Sequence, residues 1–138
     1  MRTVVDGSVA AKWYFAESGH EAADRILAAG IAGERELLAP DLIVPEFSSV
    51  LWKRVRRHEC SRAAAAEILG LWDVDRPRLV ASSELAARAF ELANELDQSV
   101  YDCLYLALAI ELDASLATAD RPLARAARSR LDRVELIS

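Results

Sequence analysis

One segment, Tyr101 to Ile110, limits what this chain can fold into more than any other. Tyr101, Cys103, Leu104, Tyr105, Leu106, Ala107, Leu108, Ala109 and Ile110 leave a helix almost no polar side. Such a helix has to lie against a layer on one face and be covered on the other. The rest of the chain supplies the layer. Short apolar stretches alternate with longer helical ones, the pattern of a parallel sheet joined by crossover helices. The pattern predicts strands near 2–5, 36–39, 115–118 and 134–136. It predicts helices over 8–15, 18–31, 42–57, 61–72, 82–96, 99–113 and 121–130. Residues 74–80 read as an extended piece broken by Pro77. Asp41 and Ser82 are expected to cap the helices that follow them. The expected fold is α/β, a central parallel sheet of four to five strands with helices on both sides.

With 138 residues, 53% of them apolar, the chain suits a single domain spanning 1–138 with a real core. Gly and Pro are few, which argues against disorder. No apolar run approaches the ~20 residues of a membrane span, so no membrane role is expected. The first residues run directly into a strand pattern without a secretory leader. Cys60 and Cys103 show no metal-ligand spacing. A reducing cytoplasm is therefore the expected location, with Cys103 a buried thiol.

The chemistry-bearing residues are acids. Asp6 and Asp120 each follow a short apolar strand, Thr3-Val4-Val5 and Leu116-Ala117-Thr118. Ligands of open parallel sheets bind beyond the carboxyl ends of the strands. Glu46 and Asp102 sit early in helices, where the positive dipole end supports a carboxylate. Brought together, the four would form an oxygen-only site suited to Mg²⁺, which takes oxygen ligands and keeps several waters. His20 and His58 have no matching partners, so zinc is disfavoured. Ser8, Thr118 and Ser49 accompany the acids and could orient carboxylates and waters. Each acid also has a plainer explanation. Asp6 and Asp120 could be helix N-caps, and Asp102 could complete a capping box with Ser99. Glu46 is harder to explain this way if Asp41 already caps its helix.

Net charge is −5, so the whole molecule is not a basic nucleic-acid binder. Basic residues nevertheless cluster at Lys53, Arg54, Arg56, Arg57 and His58, and recur at Arg121, Arg125 and Arg128. Such clusters fit solvated helix ends, and Lys53, Arg121 and Arg125 are the candidates for guiding phosphates. The aromatic residues Trp13, Tyr14, Trp52, Trp72, Tyr101 and Tyr105 are read mainly as core, with Trp13 and Tyr14 also suited to a dimer interface.

Four segments in order resemble a known family: Val4-Val5-Asp6-Gly7-Ser8-Val9-Ala10-Ala11-Lys12-Trp13, Ala39-Pro40-Asp41-Leu42-Ile43-Val44-Pro45-Glu46, Ser99-Val100-Tyr101-Asp102-Cys103-Leu104-Tyr105-Leu106-Ala107-Leu108-Ala109, and Leu116-Ala117-Thr118-Ala119-Asp120-Arg121-Pro122-Leu123. The chain resembles the PIN-domain ribonucleases, specifically the VapC-type toxins of toxin–antitoxin pairs. The resemblance implies a PIN-like sheet sandwiched by helices and RNA cleavage dependent on Mg²⁺ or Mn²⁺. It carries the catalytic and metal-binding roles onto Asp6, Glu46, Asp102 and Asp120. The supporting hydroxyls fall on Thr118 and Ser8. It also implies a small VapB-like antitoxin as partner and a homodimer. One position departs: many relatives carry Asn where this chain has Ser49.

Two rivals stand beside this reading. A haloacid-dehalogenase-like phosphatase also places an Asp after its first strand, but needs a second Asp where this chain has Ser8. A non-catalytic interaction protein would use the four acids only as caps.

Overall fold

A computed structural model describes all residues from Met1 to Ser138. The elements are β1 (Arg2–Val5), α1 (Gly7–Ala11), α2 (His20–Ile31), β2 (Glu36–Pro40), α3 (Ile43–Arg56), α4 (Arg62–Asp75), β3 (Arg78–Val80), α5 (Ser82–Leu96), α6 (Val100–Leu112), β4 (Ser115–Thr118), α7 (Arg121–Ala127) and β5 (Val134–Leu136). The strands form one sheet in the order β3-β2-β1-β4-β5, and every neighbouring pair is parallel.

That order fixes where a site can lie. From β1 the chain steps to β2 and β3 on one side, then crosses back to β4 and β5 on the other. Parallel crossovers are right-handed in almost all proteins. The two stepping directions therefore place α1 to α4 on one face of the sheet and α5 to α7 on the opposite face. Between β1 and β4 the connections diverge, leaving a crevice at the strands' carboxyl ends. Val5 pairs with Ala117 there, and the Asp6 N–H donates to the Ala117 carbonyl at 3.3 Å.

The apolar helix predicted at 99–113 is α6. It packs on β1, β2 and β4 and is covered by α5. Residues Cys103 to Ala109 are all buried. On the other face Gly30 lets α2 approach β2, because a Cβ there would come within 2.7 Å of the Leu37 side chain. Trp72 and Phe47 stack at 4.3 Å between centroids, with Trp13 and Tyr14 packed against them. Trp13 and Tyr14 are half-buried in this cluster, whereas Trp52 and Tyr101 are exposed. No helix is long and apolar enough to cross a membrane.

Some local expectations fail. Helix α4 runs through Val74 to Asp75, so only Arg78–Val80 of the supposed extended piece is a strand. Pro77 stops the helix just after its end, as proline does. Asp41 does not cap α3, whose N-cap is Leu42 without a side-chain cap bond. Asp41 instead accepts from the Ser82 N–H at 3.1 Å, and the Ser82 hydroxyl accepts from the Leu42 N–H at 3.2 Å. Ser82 is the first residue of α5 rather than its cap. Each of the two residues thus serves the other's strand end. Helices α1 and α7 are shorter than their patterns suggest, ending at Ala11 and Ala127.

Candidate active site

The residues after β1 build the first wall. Asp6 is extended, at φ −91° and ψ 171°, and caps α1. Its Oδ1 accepts from the N–H groups of Ser8 and Val9 at 3.1 and 3.2 Å, and from the Ser8 hydroxyl at 2.5 Å. Its Oδ2 accepts from the Thr118 hydroxyl at 2.5 Å. Both hydroxyls are themselves acceptors: Ser8 Oγ from the Ala119 N–H and Thr118 Oγ1 from the Asp120 N–H, each at 3.0 Å. A hydroxyl that accepts an N–H turns its single proton the other way. The protons of Ser8 and Thr118 are thereby aimed at Asp6. The same two side chains fix Asp6 against the loop that carries Asp120.

Asp120 caps α7, accepting from the Leu123 N–H at 3.0 Å. Ser99 caps α6 by accepting from the Asp102 N–H at 3.0 Å. The capping explanation therefore holds in part: Asp6 and Asp120 are caps, while Asp102 stands in the first turn of a helix capped by Ser99. Glu46, in the first turn of α3, accepts a short hydrogen bond from the Tyr105 hydroxyl of α6. A Cβ on Gly7 would lie 3.7 Å from Glu46 Oε1, so Glu46 reaches the start of α1.

Asp6, Glu46, Asp102 and Asp120 all line one pocket of about 430 Å³, with Ser8, Ser49, Tyr105, Lys12, Glu17 and Lys53. Thr118 is fully buried behind Asp6. The exposed residues Arg121 and Arg125 are not on this wall. The sequence pattern reads Tyr105 mainly as core and gives it no role in the site. Its ring is core, but its position one turn after Asp102 puts its hydroxyl on the acid side. Lys12 and Glu17 were also missed.

The electrostatics of the pocket are unbalanced. Burial raises the Asp6 carboxyl above its ordinary range, against the pull of the Ser8 and Thr118 hydroxyls and the Val9 N–H, and the charge of Asp102 adds to the rise. Burial also raises Glu46, opposed by the Tyr105 hydrogen bond and reinforced by Asp6 and Asp102. Asp102 is raised by burial and by Asp120. The Tyr105 hydroxyl is raised well beyond the usual phenol by burial and by Glu46, so it stays a donor. No Lys, Arg or His nitrogen lies within 4.0 Å of any of the four acids.

This donor set fits a hydrated divalent cation. No three His, Cys, Asp or Glu side chains are drawn close enough to hold a metal directly. Mg²⁺ does not require a closed cage, since it binds through one or two carboxylates and retains waters. The unneutralised oxygen groups and the absence of thiolate or imidazole from the pocket wall suit that chemistry.

Comparison with known proteins agrees with the architecture. The family model described as "PIN domain" matches residues 3–129. The chain is 36% identical over 126 residues to "Ribonuclease VapC3" of Pyrobaculum aerophilum, covering 90% of this chain and 93% of that protein. Among solved structures it is similar to PAE2754 from Pyrobaculum aerophilum, with a TM-score of 0.75, 20% identity, and coverage of 99% of this chain and 84% of the other. It is also similar to VapBC2 from Rickettsia felis bound to a DNA fragment from their promoter. There the TM-score is 0.69 and the identity 15%, with both chains fully covered. At these identities the two structures speak to the fold alone.

Proposed function

The chain belongs to the PIN-domain family, and from that membership we propose that it is a toxin-type endoribonuclease dependent on Mg²⁺ or Mn²⁺. One observation carries the proposal: four carboxylates share a pocket at the crevice between β1 and β4, and no Lys, Arg or His nitrogen lies within 4.0 Å of any of them. The name of the Pyrobaculum aerophilum relative supports the substrate class.

In this reading Asp6, Glu46, Asp102 and Asp120 would hold the cation together, one or two of them directly and the others through its retained waters. The bound cation supplies positive charge to phosphate oxygens and lowers the pKa of water. Ser8 and Thr118 keep Asp6 in one rotamer, with Oδ1 accepting three bonds and Oδ2 accepting from Thr118 alone. Tyr105 likewise holds Glu46 from the opposite wall. One of the acids takes a proton as water attacks the phosphorus; the P–O bond to the leaving ribose oxygen breaks, and that oxygen takes a proton from solvent. Ser49 lies one turn from Glu46 on the pocket wall, where its hydroxyl can reach a water. Arg121 and Arg125 are proposed to steer more distant phosphates.

We further propose that the protein acts in the cytoplasm, forms a homodimer, and is neutralised by a small VapB-like antitoxin. The VapBC2 pair among its structural neighbours motivates the partner. An Arg of such a partner would pair well with these carboxylates in a bidentate contact. The test uses partner-free protein, structured RNA and Mg²⁺ or Mn²⁺, with EDTA and Asp6→Asn as controls. The expected result is discrete cleavage products that vanish in both controls. Cleavage that persists with EDTA would refute the metal-dependent reading. Absence of both cleavage and divalent-cation binding would favour a non-catalytic interaction role.

A further inference from the structure

The acidic pocket has a second, basic end. Lys12, which follows α1, and Lys53, in the last turn of α3, line the same cavity as the four acids. Glu46 and Lys53 lie seven residues apart on one face of α3, about 10 Å along the helix axis. Lys53 makes no ion pair with any residue, and Lys12 pairs only with Glu17. The two lysines and the four site acids therefore share one pocket without pairing with each other.

Lys12 is also held in place. Its side chain is only 12% exposed. Its ammonium donates to the Ser18 carbonyl at 2.5 Å and lies 3.5 Å from Glu17 Oε1. Glu17 is gripped in turn by Arg54 at 2.5 Å, and the Arg54 guanidinium sits 3.8 Å above the Phe15 ring. Arg54 is shared, lying 3.9 Å from Glu59 as well, so Lys12 has Glu17 as its one ionic partner. Holding a long, largely buried lysine in one pose costs side-chain entropy and solvation. An anion bound in the cavity would offset that cost.

We propose that Lys12 and Lys53 form a subsite for an RNA backbone phosphate next to the one being cleaved, with Glu17 and Arg54 positioning Lys12. The subsite rests on the ribonuclease reading and deepens it. A phosphodiester would lie with its cleaved phosphate at the acids and its neighbour at the lysines. Single-stranded RNA is the form whose adjacent phosphates can follow such a cavity.

The test measures steady-state cleavage of a single-stranded RNA by the Mg²⁺-loaded protein over a salt series. It compares wild type with Lys12→Met, Lys53→Met and the double variant. Each substitution is expected to raise KM roughly tenfold, the usual scale for a lost charge-assisted contact, and to change kcat much less. The slope of log kcat/KM against log salt should become shallower by about 0.7 per lysine. Lys12→Arg should recover most of the loss. Glu17→Gln, which loosens the Lys12 grip without removing a cation, should raise KM and leave the salt slope unflattened. A double variant that cleaves with an unchanged salt slope would overturn the subsite and leave the ribonuclease reading intact. A wild type that cleaves no RNA would overturn both. Melting curves of each variant separate loss of fold from loss of the subsite.

Discussion

Toward the amino ends of β1 and β4, Arg35 closes on Glu135, midway along β5, through two bonds of 2.7 and 3.0 Å. Arg35 also donates to Thr3 at 3.1 Å, and Ser115 donates to Thr3 at 3.0 Å. Thr3 and Ser115 are buried, and the guanidinium is held charged chiefly by its hydrogen bonds to Glu135. At the carboxyl end, residues just beyond the same strands hold Asp6 and Asp120, which share a pocket with Glu46 and Asp102 and no adjacent cation. Both ends place buried hydroxyls among charged groups. Only the Arg35 network closes a cation onto its carboxylate; Lys12 and Lys53 line the carboxyl-end pocket without pairing with its four acids. The contrast separates a network that ties β1, β4 and β5 together from one that leaves charge for a ligand. A stability role and a binding role can thus be told apart by whether the charge is already answered.

Asp6→Asn should break the contrast most sharply. Asn keeps a capping acceptor for the Ser8 and Val9 N–H groups but removes the buried charge. RNA cleavage should fall by roughly 10³-fold, the scale of several kcal/mol that a cation supplies to such a reaction. The melting temperature of the metal-free protein should hold or rise. A large loss of stability with partial activity would mean that Asp6 is mainly structural.

Arg35→Met is the mirror test. Both partners are partly exposed, at 21% and 33%, which screens the pair. Denaturant unfolding should show a loss of about 1.5 kcal/mol, with kcat and divalent-cation affinity unchanged. Coupled loss of cation affinity would show that the two ends are not independent.

Tyr105→Phe removes the hydroxyl bonded to Glu46 while keeping the buried ring. Partners that orient a metal-binding carboxylate are worth ~10-fold or more in affinity or activity. Cleavage at limiting Mg²⁺ should drop by roughly tenfold and recover in part at high Mg²⁺. Equal loss at all concentrations would place Tyr105 elsewhere in the chemistry.

The smallest effect is pH dependence of the metal-free protein. Asp6, Glu46 and Asp102 all have carboxyls raised in the fold above the ordinary 3.8, 4.5 and 3.8. Their stabilising contribution is complete below those ordinary values and is lost as pH rises through the raised ones. The melting temperature should therefore climb by a few degrees as pH falls from neutral toward that range, on the order of 1 kcal/mol in a domain of this size. Asp41, lowered by its bonds with Ser82, acts oppositely and only below 3.8. Added Mg²⁺ should reverse the trend, because cation and proton compete for the same oxygens.

Much of this was legible in the sequence where the cause was local. The all-apolar helix announced α6, and strand-then-acid marked Asp6 and Asp120 at the carboxyl edge. Ser8 and Ser99 lie within three residues of the groups they serve. What was not legible is held by distant contacts. The crossed duties of Asp41 and Ser82 link positions 41 residues apart, and Arg35 meets Glu135 across 100. Capping chemistry at either residue looks the same in sequence whether it serves its own helix or another. Tyr105 hid within an apolar run because only its oxygen is polar. Lys12 hid because a turn, not a periodic face, folds it back to the pocket.

The most direct measurement is a calorimetric titration of Mg²⁺ or Mn²⁺ into metal-free wild type and Asp6→Asn at neutral pH, with thermal unfolding followed in parallel. Saturable binding to wild type is expected, with about 2.7 kcal/mol of added stability at a cation concentration 100 times Kd, and both should be lost or strongly weakened in Asp6→Asn. Equal binding to the two proteins, or none to wild type, would contradict the claim that the carboxyl edge is charged for a cation.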